Sequence, residues 1–191
     1  MRILRPSLAF LCAFLCAACS SQSSVPPTFG YLHPKAYAWY QANKQDVRSV
    51  ISNEQLIWGY MQTCTVTAEQ AICPANAPLS PNPMNWPVRT PEDCASFASA
   101  VTTVQADGPI PNGQAQGWWS TALQDFQGAC SAIGTAMSAA DVSLQNGTTG
   151  YDSAQMVPGG QAVADMTAGS ALLNRVGVLV NRKGWSSKPT S

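Results

Sequence analysis

The strongest constraint on the fold of this chain is a run of apolar residues between Trp119 and Leu144. Trp119, Leu123, Phe126, Cys130, Ile133, Met137, Ala140 and Leu144 follow one another at alternating steps of four and three. At ~3.6 residues per turn this spacing puts all eight on one side of a helix. It is the spacing of a seam between packed helices. A helix of that length must bury its stripe against neighbours, so the surrounding sequence should supply more helices.

Three further segments meet that expectation. One begins near Pro34, whose missing N–H suits a first helical turn, and carries Tyr37, Tyr40, Val47, Ile51, Ile57 and Met61 at helical spacing. Ser52 followed by Gln55 resembles a capping box, so this segment is one bent helix or two. A second opens at Thr90-Pro91-Glu92-Asp93, where a cap, a first-turn proline and two acids suit the positive helix end. Its stripe is Cys94, Phe97, Val101 and Val104, and Asp107-Gly108-Pro109 ends it. Asn112-Gly113 is a further turn, and Asn146-Gly147 closes the long helix. The last segment runs from about Gly160 to Asn181, with Gly160, Ala164, Ala168, Leu172, Val176 and Val180 in an i+4 row. Residues 63–89 hold Pro74, Pro78, Pro81, Pro83 and Pro87, which forbid a continuous helix. The pattern predicts an all-α domain, a disulfide-stapled bundle of four or five helices with a Pro-rich irregular segment between the first and second.

The N-terminus is an address. Arg2 and Arg5 precede the uncharged run Leu8–Ala18, after which the chain turns polar at Ser20. Basic, apolar and small residues in that order make a secretory signal peptide, and the run is too short for a good membrane span. Cys16-Ala17-Ala18-Cys19 resembles the lipobox of bacterial lipoproteins. The resemblance covers only the leader. It implies cleavage before Cys19, acylation (palmitate) of that cysteine and attachment to a membrane. Ser20 after the cysteine looks like an outer-membrane sorting signal, with the protein facing the periplasm. The alternative is ordinary cleavage and a soluble periplasmic or secreted protein. The expected organisation is signal peptide 1–18, lipid-anchored tether 19–33, helical domain 34–184 and C-terminal tail 185–191.

Composition narrows the partners. Ten Lys and Arg, less Arg2 and Arg5 of the leader, stand against ten Asp and Glu, a net charge of about −2 for the mature chain. There is no basic run, which argues against nucleic acid. Beyond Cys12, Cys16 and Cys19 of the leader, Cys64, Cys73, Cys94 and Cys130 remain, an even number in an oxidising compartment. With no CxxC and His33 as the one histidine, a zinc site is not expected, and nothing in the sequence implies another metal or a cofactor.

Geometry selects the pairing. Cys94 lies about twelve residues before the end of its helix and Cys130 about twelve after the start of the next, so at ~1.5 Å per residue both are ~18 Å from the connecting loop. In an antiparallel hairpin they are level. The same register faces Phe97 with Phe126, Val101 with Leu123 and Val104 with Trp119. Gly128, Ala129, Ala95 and Ala98 flank the cysteines and would let the backbones approach. Cys64 and Cys73 are left to close the short loop after the first helix.

Little else in the chain suggests chemistry. Glu54 falls on the apolar side of the first helix if that helix is continuous, where burial could make it a general acid. If Ser52 caps a new helix, Glu54 is simply an acid in its first turn, and this is the reading adopted. His33 has no GxSxG nucleophile to serve and fits a loop or capping contact. Asn146-Gly147-Thr148 fits a glycosylation sequon without consequence in a bacterial envelope. In the proline-stiffened segment 79–89, Met84, Trp86 and Val88 supply apolar contacts beside Arg89, and Trp118 is the free member of Trp118-Trp119. These five are the candidate partner-binding residues, because a pre-ordered aromatic loop binds at low entropic cost. A cover strap over the protein's own helices is the competing reading. The sequence therefore suggests a non-enzymatic accessory or assembly component of an envelope or secretion complex, binding envelope proteins. Alternatives are a periplasmic inhibitor or immunity-type protein, and a cell-wall hydrolase using Glu54.

Overall fold

The computed structural model describes residues 33–62, 65–66, 71–72, 78–147, 152–181 and 185, all within one contact unit, Tyr31–Ser191. The leader, Cys19, the tether, Cys64 and Cys73 lie outside the described residues. The elements in chain order are α1 (Pro34–Ala42), α2 (Lys44–Met61), a two-residue antiparallel ladder of β1 (Thr65–Val66) and β2 (Ala71–Ile72), a 3₁₀ turn at Pro83–Asn85, α3 (Thr90–Ala106), α4 (Gly113–Gln145) and α5 (Ser153–Asn181). The fold is an all-α bundle.

The stripe of α4 is divided between two partners. Toward α3, Cys94 and Cys130 form a disulfide with Cα atoms 5.5 Å apart, and Phe97 meets Phe126 edge to face at 5.6 Å between ring centroids. Both pairs are those the register argument selects. Toward α5, Ala115, Ala122, Ala129 and Ala136 recur every seventh residue with no exposed surface, alternating with Trp119, Phe126, Ile133 and Ala140. Opposite them α5 buries Gly159, Ala162, Met166, Gly169, Leu173, Val176 and Val180. This is a heptad seam in which small residues let the backbones close up. A Cβ on Gly169 would lie 2.7 Å from the Phe126 ring and 3.1 Å from the Ala122 carbonyl oxygen. A Cβ on Gly128 would lie 2.9 Å from Asp165 Oδ2, and Arg175 lies over Trp118. These pairs fix α4 and α5 as antiparallel along their length. The length and apolarity of α5 would suffice to cross a bilayer, but in the bundle its apolar side is packed on α4.

Several sequence expectations are corrected. The i+4 row on α5 is not a face. Gly160, Ala164 and Ala168 are exposed while Val176 and Val180 are buried, because a step of four overshoots a turn by ~40° and the row winds round the helix. The close approach is made instead by Gly159, Ala162 and Gly169. Likewise Gly128 faces α5, not α3, and Ala95 and Ala98 are exposed. Helix α5 starts at Ser153, ahead of Pro158, with Asp152 Oδ1 accepting from Ala154 N at 3.2 Å. One lost intrahelical bond at Pro158 is outweighed by the packing of Gln155, Gly159 and Ala162. Helix α4 starts at Gly113, where Asn112 Oδ1 caps Ala115 N at 2.9 Å. The bend between the first two helices falls at Asn43, and Ser52 is an exposed residue within a continuous α2. Trp185, assigned to the tail, is buried against Tyr40 and Trp119, so the packed domain reaches at least that far.

Candidate functional site

Segment 79–89 forms a strap across α4 and α5, and its frame is held from within. Leu79 bridges Gln62, and Ser80 N donates to Met61 O at 2.6 Å. Asn82 Oδ1 accepts from Met84 N at 3.1 Å and so starts the 3₁₀ turn, whose Pro83 is buried. The Trp86 indole is buried and donates through Nε1 to Ser80 O at 3.1 Å. Thr90 does not cap α3 with its hydroxyl but donates it back to Pro87 O at 2.5 Å. Each contact ties the strap to itself or to the bundle, which suits a segment whose three prolines, Pro81, Pro83 and Pro87, cannot join a helix.

The far end of the strap is closed by charge. Arg89 Nε and Nη2 donate to Asp93 Oδ2 and Oδ1 at 2.9 and 3.0 Å, a bidentate fork one helical turn apart. Hydrogen bonds from Arg89, opposed by burial and joined by one from Tyr60, hold the Asp93 carboxyl below its usual range. Burial, and donation to Asp93, push the Tyr60 phenol up.

Of the five candidate binding residues, two are presented to solvent as apolar groups: Val88 is 90% exposed and Met84 50%. Trp86 is corrected from a contact residue to an anchor, because its ring completes the core under the strap. Arg89 is exposed along its side chain, yet its guanidinium is taken by Asp93. Trp118 is half-buried near the start of α4, with the Arg175 guanidinium 5.9 Å from its ring centroid. It lies many residues along the hairpin from Gly159, where the strap crosses α5, so the structure does not join it to Met84 and Val88.

Glu54 is not an acid in a first turn. The continuous α2 carries it into the core at 1% exposure, where Ser170 Oγ donates to its Oε1 at 2.7 Å. Ser170 and the neighbouring Asn174 are themselves buried on α5. No sequence signal marks this pair, since two polar residues in a mostly apolar helix look like surface positions until the partner helix is placed. Of the loop or capping contact expected of His33, the structure shows the loop contact: its side chain does not cap α1, and Asn112 Nδ2 lies 3.1 Å from its Nδ1, tying the start of α1 to the start of α4. Two pairs of acids also meet. Asp107, at the end of α3, is raised by burial and then by Asp46 of α2, and Asp107 Oδ2 is buried without a hydrogen-bond partner. Asp125 of α4 is raised by burial and by Asp165 of α5. Among the described residues no three His, Cys, Asp or Glu side chains gather as a metal site. No family model matches the chain, and no curated protein and no solved structure is significantly similar to it.

Proposed function

We propose that this protein is a non-enzymatic lipoprotein of the cell envelope, anchored through Cys19, that acts as an accessory or assembly component by binding protein partners with the strap 79–89. The observation that carries the reading is the contrast along that strap: Trp86 and Pro83 are sunk into the bundle while Val88 and Met84 are held out to solvent. A loop fixed in this way loses little entropy when a partner covers its exposed side chains. The leader, the cysteines suited to an oxidising compartment and the low charge agree with an envelope location. Glu54 favours structure over catalysis, because a carboxylate sealed between α2 and α5 has no path to a cell-wall substrate. The test is to place a photo-crosslinking amino acid at Val88 in living cells, with exposed Thr102 on α3 as the comparison. A discrete adduct from position 88 and none from 102 is expected. Adducts from 102 alone, or from neither position in cells that need the protein, would remove the strap from the reading.

A further inference from the structure

The charged residues are sorted along the bundle. At one end α1 begins beside the start of α4, through His33 and Asn112. Helix α2 begins beside the end of α3, through Asp46 and Asp107, and α5 finishes there, with Trp185 against Trp119. Lys35 lies in the first turn of α1, Lys44 and Arg48 in the first turns of α2, and Arg175 opposite Trp118 near the start of α4. The other described basic residue, Arg89, is neutralised by Asp93. Against these, Asp46 and Asp107 are the acids of that end. The other described acids, Glu54, Glu92, Asp93, Asp125, Asp141, Asp152 and Asp165, occupy the middle and the opposite end, where Asp141 and Asp152 flank the α4–α5 connection. Helix α4 has 33 residues, so at ~1.5 Å each the two ends are ~50 Å apart.

We infer that the basic end of the bundle is a docking surface for an anionic lipid bilayer, with the end of α4 and the start of α5 facing away from it. Two observations select this occupant. Lys35 and Arg48 are exposed, and basic side chains within a Debye length of an anionic leaflet are each attracted by an amount that converts to about a fivefold gain in binding. His33, the first described residue, also stands at this same end. Residues 20–33 could span at most ~50 Å when fully extended, so a lipid on Cys19 keeps the basic end within reach of headgroups. The acidic end would be repelled, which gives the domain one orientation. That orientation rests on the anchoring of the proposed function, whereas the recognition of charge does not.

The experiment therefore uses the mature chain, residues 19–191, with Cys19→Ser, which carries neither the leader nor an acyl group. It is sedimented with vesicles of phosphatidylethanolamine and phosphatidylglycerol, and with vesicles of phosphatidylcholine alone. Binding to the anionic vesicles only is expected, and it should vanish as NaCl shortens the screening length from ~30 Å at ~0.01 M to ~3 Å at ~1 M. Lys35→Glu with Arg48→Glu should weaken binding by at least tenfold, and Asp141→Asn with Asp152→Asn should leave it equal or slightly stronger. Should the charge-reversed chain melt early, Lys35→Gln and Arg48→Gln, each expected to cost a few-fold, replace it. Equal sedimentation with both vesicle types, no sedimentation with either, or indifference to these substitutions overturns the inference. Because the acyl group is absent, none of those results bears on whether Cys19 is lipidated.

Discussion

The carbonyl oxygen of Pro81 occupies the space where a side chain of residue 159 would begin: a Cβ built on Gly159 overlaps it. The strap thus crosses α5 in van der Waals contact with bare backbone, and the glycine is what allows it. Gly159→Ala should lower stability by ~1–3 kcal/mol through overpacking and loosen the strap. The adjacent Gly160 has open space around it, so Gly160→Ala should stabilise α5 by ~0.5–1 kcal/mol. Urea denaturation of the two variants checks the pair, and equal behaviour would show that the strap does not rest on α5.

The Cys94–Cys130 bridge, with 36 residues of separation, should contribute ~3–4 kcal/mol by restricting the unfolded chain. Replacing both cysteines by alanine measures it. Non-reducing peptide mapping should also find Cys64 joined to Cys73. The ladder pairs Thr65 with Ile72 and Val66 with Ala71, and Cys64 and Cys73 are the sequence neighbours of its outer pair, Thr65 and Ile72. A peptide linking Cys64 to Cys94 or Cys130 would contradict both pairings.

Glu54 and Ser170 should behave as one structural unit. Glu54→Gln keeps an oxygen to accept the serine hydroxyl and should cost less than ~1.5 kcal/mol, with biological activity retained. Glu54→Ala opens a hole and strands the hydroxyl, costing ~2–5 kcal/mol. A double-mutant cycle with Ser170→Ala should show coupling of at least ~0.5 kcal/mol. Loss of activity in Glu54→Gln with an unchanged melting curve would instead assign the carboxylate a chemical role.

Asp107 predicts a pH dependence. Its folded-state value is raised above 3.8, by burial first and by Asp46 second. The native protein therefore holds this proton more tightly than the unfolded chain. The resulting stability is complete in acid below 3.8 and is lost as pH rises through the folded value. Asp107→Asn, a neutral donor to Asp46, should raise the melting temperature near neutral pH relative to the parent and give no gain in strong acid. A lower melting temperature at neutral pH would mean the carboxylates do not oppose one another. Asp93, held low by Arg89, should act in the reverse sense, its contribution fading only as pH falls through its folded value.

Cys19 should incorporate an alkyne-tagged fatty acid in growing cells, and Cys19→Ala should abolish labelling and release the protein from membranes. Persistent labelling of the alanine variant would show that the anchor lies elsewhere.

The sequence by itself determined the helical class, the phase of α3 against α4 and the Cys94–Cys130 pairing. Those features rest on local periodicity and on equal distances from one short loop, which a linear sequence records directly. It also marked 79–89 as a stiff segment, because proline restricts its own backbone wherever it stands. Only the tertiary structure decided which side of each residue was covered. The alanines at 115, 122, 129 and 136 form a seam because α5 lies against them, and the same residues on an isolated helix would be unremarkable surface. Trp86 and Val88 differ by two positions in one strap, yet one is core and the other is solvent-exposed. That choice was made by the bundle beneath them. Glu54 is buried for the same reason: a capping signal is local and worth ~1 kcal/mol, while burying Val47, Val50, Ile57 and Met61 on one continuous helix is worth several times more. Where a local preference and the packing of a whole face disagree, the larger buried area prevails.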